Sequence, residues 1–459
     1  MSMMKIKNHI TDMTIGNPMS HILIFAIPLF IGNFFQQMYH VFDIMIAGYN
    51  LGDKAVAAIG VTSSLYSLII GMAIGMNNGF GIVVARVLGS KDNQKLKNTI
   101  AIMLVLEICI AILFTFNSLL FLKPVLLLLN TPTTIFKDAY LYAFIIFIGV
   151  LFTLLYNMQA SLFIAVGNSR LPLLFLILSS LLNICLDWFF IAICHMGVAG
   201  AALATVLAQI VCVGLYFQQI LRKYPELCIG LQDFTFEKEL VLEIFFSGLS
   251  MGLMSMIFSI GSVILQAAIN DLGTVIITAH TAARKIIDIC MQPLVTLATA
   301  NAIFVSQNYG ARNSIRIVES IKKTCYAGIV WSVFAFVFVS IFARPIIQSL
   351  TGTNDELVIA NAAMNLKINM PFYIFLGILL VLRTSLQGIG RKISPLISSS
   401  LELFTKIIGA FVFVPRFGYV GASVAEPMSW FICMLFMLLV YCHIRKDLKR
   451  QTLYPNCAI

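Results

Sequence analysis

Apolar residues run along this chain in twelve long segments, each about the length that an α-helix needs to cross a lipid bilayer. Several contain proline or glycine, such as Pro28 in the first segment and Pro293 in the eighth, where we expect tilts or kinks. The pattern predicts an all-α membrane protein with twelve transmembrane helices. The segments lie near 20–48, 55–84, 99–121, 138–162, 171–194, 198–221, 241–268, 275–305, 323–345, 358–387, 395–414 and 420–443.

Composition supports the membrane assignment. Hydrophobic residues make up 60% of the chain and charged residues 11%, whereas soluble domains carry about 25% charged residues. The first 20 residues contain no cleavable signal pattern, so the first segment is predicted to remain as an anchor. The ten cysteines form no CxxC or Cys/His cluster, so no metal cluster, disulfide framework or cofactor is predicted.

Basic residues are distributed unevenly between the two sets of connections. With the N-terminus inside the cell, 20 of the 30 lysines and arginines flank the cytoplasmic ends of the segments, and six flank the opposite ends. This asymmetry predicts a multi-pass cell-membrane protein with both termini in the cytoplasm. The net charge of +10 then reflects flanks that lie near anionic lipid, so no nucleic-acid partner is implied.

The chain contains an internal duplication. "NLGDKAVAAIG" at 50–60 resembles "DLGTVIITAHT" at 271–281, and "GVAGAALAT" at 197–205 resembles "GYVGASVAE" at 418–426, each 221 residues apart. Six segments, an even number, separate the copies, so the two halves are predicted to be parallel repeats, an architecture typical of transporters. The predicted divisions are an N-terminal lobe at 1–221, a cytoplasmic linker at 222–240 and a C-terminal lobe at 241–459.

Six acidic residues fall inside the apolar segments, where a carboxylate costs about 2.5–3.5 kcal/mol. Polar stripes accompany two of them and predict that their helices face a wet cavity or a polar helix. The stripe on the first segment comprises Asn33, Gln36, Gln37, His40 and Asp43, and the stripe on the fifth comprises Ser180, Asn183 and Asp187.

The other four acids carry weaker signals. Asp288 stands four residues after Arg284, and Glu402 stands four before Lys406, which predicts an ion pair on one helix face in each case. Glu426 is predicted to reach the membrane interface. Glu107 is alone in an apolar segment, and the sequence assigns it no role. Whether Glu402 and Glu426 are structural or take part in ion coupling stays open.

The order of these features resembles the multidrug and toxic compound extrusion (MATE) family. The resemblance covers nearly the whole chain, through "PLFIGNFFQQMYHVFDIMIAGYNLGDKAVAAIG" (28–60), "AHTAARKIIDICMQPLVTLATANAIFVSQNYGARN" (279–313) and the duplicated twelve-segment pattern. It implies a V-shaped pair of six-helix lobes, a monomeric protein and no enzymatic activity. It also implies antiport: export of small organic, mostly cationic drugs, including antibiotics, in exchange for H⁺ or Na⁺.

The resemblance also implies the site residues. Asp43, Asn183, Asp187 and Thr205 match the cation- or proton-binding cluster in the N-terminal lobe of one branch of the family, to which this chain is most similar. Na⁺ is the only metal ion that this implies, at the Asp43 and Asp187 cluster. The residues that match the substrate cavity of some relatives are Gln36, Tyr39 and Asn157.

The C-terminal lobe departs from another branch of the family. Relatives in that branch carry acids where this chain has Phe258 and Leu376. The internal repeat indicates the same loss, because the four cluster residues of the first half align with residues of different chemistry in the second. Those residues are Ile264, Lys406, Ala410 and Glu426.

Two alternatives remain open at this point. A lipid-linked oligosaccharide or lipid flippase of the same broad superfamily would show a basic stripe for pyrophosphate, for which the candidates are Arg284, Lys285, Arg383 and Lys406. An intramembrane aspartyl protease would also place two aspartates on separate helices, but "VFDIM" and "CLDWF" lack the Gly-Asp context of that class.

Overall fold

The computed structural model describes residues 10–453, with side chains described except at 39–44, 46, 47, 50, 53, 64, 65 and 449–453. Within this range the chain is helical and contains no β-strand. The α-helices are α1 (Pro18–Leu51), α2 (Asp53–Gly89), α3 (Asn93–Leu128), α4 (Thr133–Ile148), α5 (Val150–Ala165), α6 (Arg170–Asp187), α7 (Val198–Lys223), α8 (Lys238–Asn270), α9 (Thr274–Gly310), α10 (Ser314–Thr351), α11 (Glu356–Asn369), α12 (Tyr373–Gly388), α13 (Ile393–Ile408) and α14 (Val414–Leu453).

These helices account for twelve membrane spans. α4 and α5 form one span that bends by 49° at Gly149, and α11 and α12 form another, joined by a 3₁₀ turn that contains Pro371. Helical structure from Ile393 onward is too long for a single span, and it is interrupted at Gly418, whose φ of 55° is not helical. The eleventh and twelfth predicted segments are therefore separate spans, as the sequence indicates.

The internal duplication is confirmed by the backbone. Gly52 and Gly273 both have positive φ angles in the turns before α2 and α9, and Asp92 and Asn313 both cap the next helix with a side-chain oxygen. The two members of each pair are 221 residues apart. Equivalent turns and caps at one constant offset indicate that the two halves repeat the same local structure.

Contacts between residues divide the chain into two compact units. Among the described residues, the N-terminal unit comprises residues 10–12 and Ile27–Gly252, and the C-terminal unit comprises Met13–Ala26 and residues 253–453. Both α1 and α8 therefore begin in one unit and end in the other. The division by repeats, at 1–221 and 241–459, remains a prediction from sequence similarity.

The first turns of α8 pack closely against α2 within the N-terminal unit. A Cβ atom on Gly79 of α2 would lie 2.4 Å from the carbonyl oxygen of Ser247, and one on Gly248 would lie 2.2 Å from the Phe80 ring. Arg86 and Glu243 form an ion pair at the end of the same contact. Glycine is needed at both positions because the two backbones approach too closely for a side chain.

The linker after α7 is also fixed to the N-terminal unit. The carboxylate of Asp233 accepts hydrogen bonds from the backbone N–H of Gly230 at 2.7 Å and from the Gln94 amide of α3 at 2.9 Å. These two donors hold the pKa of Asp233 below its usual range. Leu227, in the same linker, is fully buried. The linker is thus an ordered part of this unit.

Candidate functional site

Asn183 of α6 and Thr205 of α7 meet inside the N-terminal unit. The Asn183 amide donates a hydrogen bond to Thr205 Oγ1 at 3.3 Å, and this hydroxyl donates to the carbonyl of Ala201 at 3.1 Å. Asn183 is only 2% exposed. The structure therefore brings together two of the four residues that the sequence predicts as the cation-binding cluster.

Asp187 is the last residue of α6 and lies one turn beyond Asn183, on the same face of the helix. It is 1% exposed, so its carboxyl group is held inside the unit and does not face lipid. The next six residues, Trp188–Ile193, form a π-helical segment. Such segments often occur at functional sites, because the wider turn changes the direction of the side chains that follow.

An equivalent π-helical segment occurs in the second repeat. It comprises Gly409–Phe413 and begins 221 residues after Trp188, directly beyond α13. Since both copies have this irregularity, it belongs to the duplicated scaffold and does not by itself identify the acidic site. What distinguishes the N-terminal unit is the aspartate beside it, where the predicted alignment places Ala410 in the other repeat.

A second polar contact lies one helical turn along α7. Thr153 Oγ1 of α5 donates to Gln209 Oε1 at 2.6 Å, and the Asn157 amide donates to the Thr153 carbonyl at 2.7 Å. Asn157 is among the residues predicted from the sequence, whereas Thr153 and Gln209 are not. Gln209 could have been predicted, because it stands four residues after Thr205 and so lies on the same face of α7.

The predicted site residues of α1 are only partly described. Gln36 is exposed, and its place beside a substrate cavity remains a prediction. The side chains of Tyr39 and Asp43 lie outside the described residues. Their place in the site, and the pairing of Asp43 with Asp187, therefore remain predictions.

Glu107, for which no partner is predicted from the sequence, is hydrogen-bonded to α2. It is 1% exposed, and the Asn77 amide donates to its Oε1 at 2.9 Å. Asn77 and Glu107 are 30 residues apart, so only the packing of α2 against α3 reveals the pair. A buried carboxyl with an amide partner is consistent with a structural contact between these helices.

In the C-terminal unit, the positions equivalent to Asn183 and Thr205 also meet, but with different chemistry. Lys406 Nζ lies 3.6 Å from Glu426 Oε1, and it lies 4.3 Å from the centre of the Phe258 ring. The duplicated scaffold thus holds a neutral hydrogen-bonded pair in one copy and an ion pair in the other. The ammonium group stacks on Phe258, the position at which the resemblance predicts an acid in another branch of the family.

These two residues belong to a larger ionic network. The predicted helical pairs are confirmed, with Arg284 Nε 3.1 Å from Asp288 and Lys406 Nζ 3.5 Å from Glu402. The prediction that Glu426 reaches the interface is wrong. Its side chain is 8% exposed because α14 packs it against Arg284 at 2.6 Å and against Lys406.

The network also neutralises the basic residues that a flippase would need. Arg383 contacts Glu402 at 3.1 Å, and Arg284 and Lys406 each contact two carboxylates. Lys285, the fourth basic candidate, is exposed. Three of the four candidates are therefore paired with carboxylates, which argues against their use as a basic stripe for a pyrophosphate group.

Known proteins resemble this chain over nearly its whole length. It is 26% identical over 438 residues to the "Probable multidrug resistance protein YpnP" of Bacillus subtilis (strain 168), covering 94% of this chain and 96% of the relative. It is 24% identical over 423 residues to the "Multidrug export protein MepA" of Staphylococcus saprophyticus, covering 91% and 92%.

Solved structures share the fold at lower identity. A crystal structure of MATE in the bent conformation superposes with a TM-score of 0.90 at 22% identity, covering 97% of this chain and 99% of the other. An outward-facing MATE transporter of the MOP superfamily gives 0.87 at 22% identity, covering 95% and 98%. The family model MatE matches twice, at residues 28–189 and 251–412, once in each repeat. The chain therefore belongs to the MatE family of multi-pass membrane transporters and is not an enzyme.

Proposed function

We propose that this protein is a secondary active antiporter of the plasma membrane, with both termini in the cytoplasm, that exports organic and mostly cationic compounds in exchange for H⁺ or Na⁺. The names of its relatives, multidrug resistance and multidrug export proteins, support the export of drugs. The observation that carries the coupling is the buried Asp187, one turn from the Asn183 and Thr205 pair.

A buried carboxyl at this position suits a coupling ion for a physical reason. The ionised form is costly at bilayer depth, and a bound proton or Na⁺ removes most of that cost. Thr205 and Asn183 supply neutral oxygens for a sodium ion, which prefers oxygen ligands. If Asp43 lies beside Asp187 as predicted, the repulsion between the two carboxylates strengthens the preference for an occupied site.

Coupling needs no direct contact between ion and drug. Each ligand shifts the transporter between two conformations by its difference in affinity for them. One elementary charge that crosses a potential of 100 mV contributes about 2.3 kcal/mol. When one more positive charge enters than leaves, this sustains a concentration ratio of about fifty for the exported compound, since each 1.4 kcal/mol corresponds to a factor of ten. A one-for-one exchange with a monovalent cation is electroneutral, so the concentration gradient of H⁺ or Na⁺ alone drives it.

Reconstituted vesicles test this function directly. We expect ethidium to move uphill when either a proton or a sodium gradient is imposed, and the gradient that succeeds identifies the coupling ion. Asp187→Asn should abolish uphill movement and preserve folding, because a neutral amide is less costly in the membrane than a carboxylate.

Glu107→Gln is the control for the loss of a buried acid, and it should retain most of the transport because Asn77 can still donate to the new amide oxygen. Uphill transport by Asp187→Asn at the wild-type rate would refute a coupling role for Asp187. If the protein moves no organic cation but translocates a lipid-linked pyrophosphate, the alternative function, a flippase, is correct.

A further inference from the structure

Six charged side chains of the C-terminal unit form a continuous chain in which the sign alternates. Neighbouring members are 3.1, 3.5, 3.6, 2.6 and 3.1 Å apart. In order, they are Arg383, Glu402, Lys406, Glu426, Arg284 and Asp288. The arginine at one end is 10% exposed, whereas the aspartate at the other end is 43% exposed. The network therefore presents a carboxylate where it is accessible.

Asp288 is accessible at a depth where lipid contact is unfavourable. It stands fourteen residues beyond Thr274 in a helix of 37 residues, or about 21 Å along a length of about 55 Å. The hydrocarbon core is about 30 Å thick, so Asp288 lies within it if α9 is centred in the bilayer. Ionisable side chains at this depth face a protein interior or a water-filled cavity. We therefore place the exposed edge of Asp288 against water or a ligand.

The three acids of the network are not neutralised equally. Glu402 contacts Arg383 and Lys406, and Glu426 contacts Arg284 and Lys406, so each has two basic partners. Asp288 forms an ion pair with Arg284, whose other edge is bonded to Glu426 at 2.6 Å, and the nearby charge of Lys285 also attracts its carboxylate. Asp288 thus forms one ion pair where the other two acids form two, and it shares that partner with Glu426.

A small cavity adjoins the arginine that Asp288 shares. It has a volume of about 110 Å³ and is lined by Arg284 and Glu426, together with polar side chains that include Gln266 and His280. A cavity of this size, with polar side chains in its wall, has room for a few water molecules. It would give the Arg284 guanidinium room to turn toward Glu426, with Leu265 as the one apolar side chain in the lining.

We propose that Asp288 binds the positively charged group of the exported compound, which becomes the seventh charge of the alternating chain. The ligand class is an organic cation with an amino, ammonium or iminium group. Arg284 pairs with Asp288 when no ligand is bound, and it shifts toward Glu426 when the ligand binds. The inference rests on the proposed export of organic cations and assigns it a contact in the C-terminal unit.

Binding of ethidium to the purified full-length protein, in detergent without phospholipid, tests the assignment. Asp288→Asn should raise the Kd for ethidium at least about tenfold, as expected for the loss of an interaction with a charged group. The Kd for phenanthridine, a neutral ligand with the same fused rings, should change by less than about twofold. Arg284→Gln should lower the Kd for ethidium, because it removes the resident cation that competes for Asp288.

Glu319→Gln is the matched control. Glu319 pairs with Lys323 four residues later at 2.7 Å and is 41% exposed, so it closely matches Asp288 in geometry but lies at the start of α10. Its loss should leave both Kd values unchanged. If the wild-type protein binds and exports ethidium, but folded Asp288→Asn binds it equally well, this assignment is wrong and the proposed function stands. If the wild-type protein neither binds nor exports any organic cation, the proposed function itself is wrong.

Discussion

Removing the charges of Lys406 and Glu426, one at a time and then together, measures how much the ion pair between them stabilises the C-terminal unit. Their charged atoms are 3.6 Å apart, and the two side chains are 1% and 8% exposed. At that distance and an effective dielectric constant of about 20, the attraction is about 5 kcal/mol. Desolvation reduces the net value, and couplings between contacting residues are about 0.5–3 kcal/mol. We expect about 2–3 kcal/mol here.

The expectation follows from the charge balance of the network. Lys406→Met leaves three carboxylates with two arginines, and Glu426→Gln leaves three bases with two carboxylates. Either single variant therefore places an uncompensated charge in the membrane, which costs about 3–5 kcal/mol when a buried pair is broken. The double variant restores neutrality, so its loss of stability should be much smaller than the two single losses added together.

Reversible unfolding in mixed detergent micelles, followed by circular dichroism, gives the four free energies that this cycle needs. The equivalent neutral contact of the first repeat serves as the reference, through Asn183→Ala, Thr205→Ala and their combination. Hydrogen bonds between membrane helices contribute about 0.6 kcal/mol on average, so this second cycle should give a coupling near that value. A coupling below about 0.5 kcal/mol for Lys406 and Glu426 would show that the two charges act independently, contrary to the structure.

Two further predictions concern the N-terminal unit. Because the pKa of Asp233 is lowered in the folded protein, its carboxylate stabilises the fold above the unfolded pKa, and this stabilisation is lost as the pH falls through the folded value. Asp233→Asn should therefore lower the unfolding temperature at pH 7, and the difference from wild type should shrink at or below about pH 4. Gly79→Ala should cost about 1–3 kcal/mol in the same unfolding assay, since its Cβ would lie 2.4 Å from the Ser247 carbonyl oxygen. Gly71→Ala, where a Cβ meets nothing within 4 Å, should not destabilise the protein and should stabilise it by up to about 1 kcal/mol, because alanine favours a helix interior over glycine.

Local sequence signals identified part of the candidate site. Asn183 and Asp187 share a helix face because four residues make about one turn. The repeat alignment pairs the positions of Lys406 and Glu426 with those of Asn183 and Thr205, and the two members of each pair are in contact. The i and i+4 ion pairs were predictable for the same reason. Glu426 was misplaced because its burial depends on how α14 packs against α9 and α13, and no spacing along α14 contains that information.

The spans, the duplication and the family can be predicted from the amino-acid sequence alone. A bilayer imposes a fixed length and an apolar composition on each helix, and a duplication leaves a constant offset, so both are visible in the order of the residues. Which polar groups meet across helices depends on the tertiary structure. Glu107 meets Asn77, and Gln209 meets Thr153, over separations of 30 and 56 residues. Such contacts depend on the rotation and distance of neighbouring helices, which close packing sets through many small contributions that no single segment specifies.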